Sequence, residues 1–346
     1  WRRNKLRLYR NVWWWSLDND AYRRSRMMSV LSSIFGVGVQ ARNALYERGT
    51  LKARRLQGPA ISVGNISVGG TGKTPLVILL GELLKARGIA FDVLSRGYGR
   101  VSRGTAVVDP HGQPRDFGDE PLLIARRLGV PVVVDENRYE AGMLAEQKFG
   151  PQVHLLDDGF QHRALVRDFD IVLLTADDIH DKLLPSGHLR EPLSSLQRAD
   201  AIVLSGGASP ENIPLNNKLV WRSRRSLVPT NVPPSPVAFC GIARPKNFFL
   251  QLRLAGCPAA AEAAYRDHHT YTEADIRELL RLREQSEAGG FVTTEKDAIN
   301  LGGLAASLQP LAVVPVKMEL KDADAAIDAM LAIIAERRGV KEHVTV

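Results

Sequence analysis

From about residue 59 the chain alternates short apolar runs with longer stretches of helical spacing. Residues 59–63 form a compact apolar run that ends in Gly64-Asn65. Residues 73–87 carry Leu76, Leu79, Leu80, Leu83 and Leu84, the spacing of a helix with one apolar face. The pattern then predicts a strand at 90–94, a helix at 119–128, a strand at 131–134 and a helix at 137–149. A strand at 153–156 ends in Asp157-Asp158-Gly159, and 171–174 and 201–204 are further buried strands. Continuous apolar strands between helices predict a parallel sheet with helices on both faces.

The alternation breaks at 223–236, SRRSLVPTNVPPSP, where four prolines occur without periodicity. That composition reads as a linker. Strand and helix patterns resume at 237–240, 247–254, 272–285, 290–293, 311–316 and 325–336. The expected organisation is a front segment 1–55, an α/β domain 56–222, a hinge 223–236 and a smaller α/β domain 237–346. A length of 346 residues suits two domains.

Charge sharpens the picture of the front segment. The net charge is +8, yet residues 1–55 alone hold thirteen Lys/Arg against three Asp/Glu. The body is therefore nearly neutral. Four of the five tryptophans are Trp1, Trp13, Trp14 and Trp15, and an apolar run from Met27 to Val39 follows. Thirteen residues fall short of the ~20 that a membrane span needs. Aromatic and basic residues beside a short apolar helix suit a bilayer interface, with packing on the protein itself as the alternative. No small-residue cleavage site follows the run, which argues against a cleaved signal peptide. Cys240 and Cys257 lack metal-ligand spacing and read as reduced thiols.

The candidate chemistry begins at Ser67-Val68-Gly69-Gly70-Thr71-Gly72-Lys73-Thr74. The end matches a phosphate-binding loop, but Ser67 stands where that motif has its first glycine. Context supports a nucleotide site, because a buried strand precedes the loop and a helix follows. Backbone N–H groups of Gly69, Gly70, Thr71 and Gly72 would cradle phosphates, with Lys73 on the outer phosphates and Thr74 on Mg²⁺. Asp158, at the tip of the 153–156 strand, would hold the metal. No Asn-Lys-x-Asp string for guanine is present. Phosphotransfer to an acceptor remains the leading reading. A hydrolytic ATPase or GTPase switch and a nucleic-acid-binding NTPase are the alternatives.

Several strings together resemble the tetraacyldisaccharide 4′-kinase family of lipid A biosynthesis. They are Gly64 to Pro75, Leu94-Ser95-Arg96-Gly97-Tyr98, Gly118-Asp119-Glu120-Pro121, Leu156 to His162 and Leu189-Arg190-Glu191-Pro192. Further on come Gly241-Ile242-Ala243-Arg244-Pro245, Asp267-His268-His269-Thr270-Tyr271 and Thr293 to Ala298. The order and spacing cover about residue 28 to beyond 320, and the family shares the serine at the head of the loop.

The resemblance implies two α/β domains, ATP and Mg²⁺, and phosphate transfer to the 4′-hydroxyl of a lipid-linked disaccharide 1-phosphate. It implies a monotopic enzyme on the cytoplasmic face of the bacterial inner membrane, with no nucleic-acid partner and no obligate protein partner. Asp119 becomes the expected general base, acting with His268, or with His269 as the alternative. By pattern alone Asp119 is a helix N-cap. Arg190 is expected on the transferring phosphate, and Glu191 beside Asp158 on magnesium. Asp157 and Gln161 are expected near phosphate or metal, and Arg96 and Tyr98 on the sugar or its 1-phosphate. Glu295, Lys296 and Asp297 open a helix and serve as caps or nucleotide contacts. A site shared by two domains implies closure about the proline-rich hinge.

Overall fold

A computed structural model describes residues 6–9, 20–208, 213, 215 and 218–339, with side chains from residue 28 onward. The tryptophan cluster of the front segment lies outside the described residues. Among the described residues, the larger of two sheets has nine strands. Its central strand, Ala60–Asn65, lies between Val153–Asp157 and Phe169–Thr175, all parallel and wholly buried. Phe91–Ser95 and Val132–Val134 continue the parallel sheet on one side, and Ala201–Ser205 and Leu219–Leu227 on the other. Antiparallel strands close the edges, Ala106–Val107 at one and Val316–Leu320 at the other.

Both faces of this sheet are covered, as the unbroken apolar strands require. Helices Lys73–Ala86, Asp119–Leu128 and Ala323–Arg338 pack on one face through Leu76, Leu80, Leu122, Ile124, Ile327 and Met330. Helix Arg138–Phe149 covers part of the other through Ala141 and Ala145.

The smaller sheet has five parallel strands in the order Leu6–Tyr9, Ala261–Ala264, Val237–Cys240, Phe291–Thr294, Leu311–Val314. Helix Glu273–Gln285 packs on one side of it and helix Pro245–Leu254 on the other.

The structure differs from the expected organisation in three places. First, residues 219–227 of the expected linker region form a nine-residue strand of the large sheet, so the connection begins only after Leu227. Second, the expected 237–346 domain gives its end back. Strand Val316–Leu320 pairs with Leu219–Leu227, and helix Ala323–Arg338 buries Ile327, Met330 and Ile334 in the first domain's core. Each such side chain contributes about 1.5–3 kcal/mol by burial, enough to decide which domain the helix joins. Third, Leu6–Tyr9 of the front segment pairs in the smaller sheet.

The front helix runs from Asp20 to Glu47 and contains the apolar run. Ser32, Gly36 and Asn43 form its inner face. Ser32 Oγ donates to the Leu183 carbonyl at 2.9 Å, and a Cβ on Gly36 would stand 2.9 Å from Leu183 Cδ1. On the outer face Val30, Ile34 and Val37 are 58%, 63% and 66% exposed. Among the described residues, no helix is long and apolar enough to cross a membrane.

Candidate functional site

The loop after Ala60–Asn65 explains its own serine. Ser67 is fully buried and bridges to Leu189, while Val68 N–H donates to the His188 carbonyl at 2.8 Å. Arg190 N–H donates to the Ile66 carbonyl at 2.6 Å. The start of the loop is thus an extended rung against 188–190, where glycine's freedom is not needed. Gly72 is different: at φ 106° it turns the chain into helix Lys73–Ala86, a conformation that side chains resist. A Cβ there would also meet Met318 Cε at 3.2 Å and Arg225 Nη1 at 3.6 Å.

Lys73, Asp158 and Arg190 meet at this loop. Lys73 Nζ lies 3.5 Å from Asp158 Oδ1 and donates to Asn65 Oδ1 at 3.2 Å. Arg190 grips Asp158 with two bonds of 2.9 and 2.7 Å and also reaches Asn65. Burial works against the Asp158 charge, but Arg190 and Lys73 outweigh it and hold the carboxyl well below the usual range. Asp158 has φ 52°, a left-handed conformation uncommon for a non-glycine residue and frequent at functional turns.

Asp157 ends its strand beneath this group. Burial, Glu120 and Asp158 push its carboxyl up to about 7. Ser95 donates to Oδ2 at 3.3 Å, and the buried Oδ1 has no partner. Gln161 Nε2 donates to the Asn65 carbonyl at 2.9 Å, so it braces the loop.

A second group spans the two domains. Gly118, at φ 92°, brings the chain so near that a Cβ would stand 2.9 Å from the Tyr98 carbonyl. Asp119 follows as the first residue of its helix, with Gly118 rather than Asp119 as the N-cap. His268 Nδ1 sits 3.0 and 2.9 Å from the two Asp119 oxygens, and Asn300 Nδ2 donates to Oδ2 at 3.0 Å. Burial opposes the charge on Asp119, yet His268, Lys296 and Asn300 leave its pKa below the ordinary value. Burial likewise opposes the His268 cation, but the bond to Asp119 raises its pKa.

The adjacent histidine faces elsewhere. His269 bonds Asp275 Oδ2 at 3.1 Å and stacks on Tyr265 with centroids 4.7 Å apart. His268, at φ 56°, is therefore the one the structure brings to Asp119. Tyr98 is 64% exposed with its ring 5.1 Å from the His268 ring. Arg96 lies beside Glu136 at 4.0 Å on an exposed turn.

The two groups sit on neighbouring elements, because helix Lys73–Ala86 packs against helix Asp119–Leu128. Glu120, next to Asp119, is near enough to raise the pKa of Asp157. Ala243 of the second domain hangs over the loop, 3.7 and 3.5 Å from where Cβ atoms on Gly69 and Gly70 would stand.

Glu191 is the residue expected beside Asp158 on magnesium. Its carboxylate is fully buried, accepting from Asn43 at 3.0 Å and from Arg198 at 2.9 Å. It anchors the front helix under the loop instead of reaching toward Asp158. No cluster of three or more His, Cys, Asp or Glu with metal-holding geometry occurs among the described residues. Thr74 and Asp158 remain the residues that fit a magnesium held jointly with phosphate oxygens, a site needing few protein ligands.

Sequence reasoning passed over Asn65 and Asn300. Asn65 is the hub of the loop, bonding Ser67, Thr71, Lys73 and Arg190. Asn300 lies four residues after Lys296 on helix Glu295–Leu301, so spacing alone puts both on one face.

These are the features of a P-loop phosphotransferase: a glycine loop with its lysine, an aspartate at the adjoining strand tip, and an aspartate–histidine pair that meets across a domain interface. Comparison with known proteins gives the family. The model of the tetraacyldisaccharide-1-P 4′-kinase family matches residues 24–335. The chain is 51% identical over 322 residues to a tetraacyldisaccharide 4′-kinase from Koribacter versatilis, covering 90% of this chain and all of that protein. A relative from Geobacter metallireducens with the same name is 36% identical, covering 88% and 98%. A crystal structure of the Aquifex aeolicus kinase LpxK in complex with ATP superposes with a TM-score of 0.73 at 34% identity, covering 90% of this chain and 99% of that one. The chain belongs to the tetraacyldisaccharide 4′-kinase family, the ATP-dependent kinases of lipid A biosynthesis. That assignment displaces the hydrolytic-switch and nucleic-acid readings.

Proposed function

We propose that this chain transfers the γ-phosphate of ATP to the 4′-hydroxyl of a tetraacyldisaccharide 1-phosphate at the cytoplasmic face of the bacterial inner membrane. The carrying observation is that the Asp119–His268 pair stands at the start of a helix packed beside the one that the phosphate loop opens. Bound Mg·ATP supplies the phosphoryl group. Lys73 and Arg190, now paired with Asp158, would hold the phosphate oxygens of ATP, and Asp158 and Thr74 would hold its metal. Asp119 is buried, and the His268 side chain is 25% exposed, so the imidazole is the face the pair offers to the acceptor. Together they take the hydroxyl proton as the phosphoryl bond forms. Arg96 and Tyr98, at the C-terminal edge of the sheet, serve the sugar.

Exposed Val30, Ile34 and Val37 support seating of the front helix in the bilayer surface. A four-chain acyl substrate stays in the membrane, so the enzyme must come to it. The links after Leu227 and at Pro315 join the domains and let ATP draw them together.

Transfer of labelled phosphate from ATP to the disaccharide 1-phosphate in micelles tests the reading, with Asp119→Ala alongside. Labelled lipid that collapses in the variant supports it; ATP hydrolysis without lipid labelling sinks it. For location, Ile34→Glu with Val37→Glu should abolish sedimentation with anionic vesicles while leaving the protein folded. Unchanged sedimentation would remove the helix from the membrane.

A further inference from the structure

One lysine at the domain interface has no role in the reaction described so far. Lys296 lies in the first turn of helix Glu295–Leu301, its side chain only 15% exposed. Its ammonium is 3.3 Å from Glu120, 3.4 Å from Asp267 and 3.9 Å from Asp119. It is also 3.2 Å from Nε2 of His268.

That last contact carries chemical information. An ammonium has donors only, so the nitrogen facing it must present a lone pair. With the lysine charged, the contact favours an imidazole whose Nε2 is unprotonated. Nδ1, which touches both Asp119 oxygens, then carries the proton and donates it. A doubly protonated imidazole would set an N–H against an ammonium at 3.2 Å.

We propose that Lys296 is a positioning residue for the Asp119–His268 pair: its ammonium fixes the imidazole as the Nδ1–H tautomer and pins the pair across the domain interface. This rests on the kinase reading above. The surrounding charges allow the role. Glu120 and Asp119 face the lysine from the first domain, and Asp267 faces it from the second. Tyr98 lies over the His268 ring, and Asp267 also stands 3.8 Å from His268 Nε2. When the acceptor hydroxyl arrives, Lys296 shifts onto Glu120 and Asp267, already within 3.4 Å, and leaves the Nε2 lone pair to the hydroxyl proton. Asp119 and Asp267 favour the charged imidazole and Lys296 disfavours it. Without the lysine, protonation of the pair sets in at higher pH.

The test uses the full chain in micelles with ¹⁵N-labelled histidine, His268 being assigned by its loss in His268→Gln. The parent should show a protonated Nδ1 and a bare Nε2 above its titration midpoint. In Lys296→Met the midpoint should rise by about one pH unit, and the acidic limb of kcat/KM should move with it. Lys296→Arg keeps the cation and should restore both. An Nε2–H tautomer in the parent overturns the proposal. So does an unchanged midpoint in Lys296→Met or in Lys296→Gln, the second variant guarding against a fold defect in the first. Failure of lipid phosphorylation in the parent would strike the kinase reading instead, because the histidine spectra do not depend on turnover.

Discussion

The two halves of the candidate site are built in opposite ways. Lys73, Asp158 and Arg190 all come from one domain, and Asn65 and the Ser67–Leu189 rung hold them. Asp119, His268, Lys296 and Asn300 come from two domains and meet only while helix Glu295–Leu301 lies against helix Asp119–Leu128. The first group is held by contacts within one domain. The second reports whether the domains are docked. On the proposed mechanism a kinase that must not release phosphate to water gains from that division, because docking of the domains would assemble the base.

The comparison can be broken on its interdomain side most severely. Asp119→Asn should lower kcat on the order of a hundred- to ten-thousandfold, with ATP affinity nearly unchanged by calorimetry. Lys73→Ala should cost on the order of a hundred- to a thousandfold but should also weaken ATP binding, which separates the two halves in one pair of assays. Asn300→Ala removes one bond to a buried carboxylate and should cost about tenfold in kcat, at about 1.5 kcal/mol. His269→Phe should lower stability by roughly 1–2 kcal/mol and leave kcat nearly intact, which sharpens the distinction between the neighbouring histidines. Arg127→Ala, which breaks a 2.7 Å surface pair with Glu295, should change stability by less than about 1 kcal/mol.

Protonation gives a further handle on the same contrast. The Asp119 pKa is depressed, so its contribution is present above the ordinary carboxylate value and lost as pH falls through the folded one. The His268 pKa is raised, so its contribution is present below the ordinary imidazole value and lost as pH rises through the folded one. The stability difference between the parent and His268→Gln should therefore peak between about pH 4 and about pH 6.5. Thermal unfolding across pH would show a flat difference if the pair contributed nothing to docking.

Local features were legible in the sequence. The loop, its flanking strand and helix, and the acids at a strand tip are contiguous, so a short window contains the physics. Asp119–Leu128 could be read to the residue because Gly118 and Gly129 bracket it. What escaped depended on distant partners. Leu219–Leu227 carries Arg222, Arg224 and Arg225 and runs into prolines, yet neighbours on both sides make it a strand. Ala261–Ala264 reads AEAA, of low strand propensity, and its pairing decides it. Glu191 looked like a metal ligand because it follows Arg190. Its bond with Asn43, 148 residues away in sequence, lay beyond any local pattern.

The return of the chain to its first domain bears on synthesis. A ribosome delivers the glycine loop early, but Met318, which lies against Gly72, and Ile327, Met330 and Ile334 emerge only after the whole second domain. The nascent nucleotide domain must wait with an unpaired edge strand and an uncovered apolar face, the conditions under which newborn chains seek chaperones. A premature stop just after Pro315 would spare every strand of the second domain and still cripple the first.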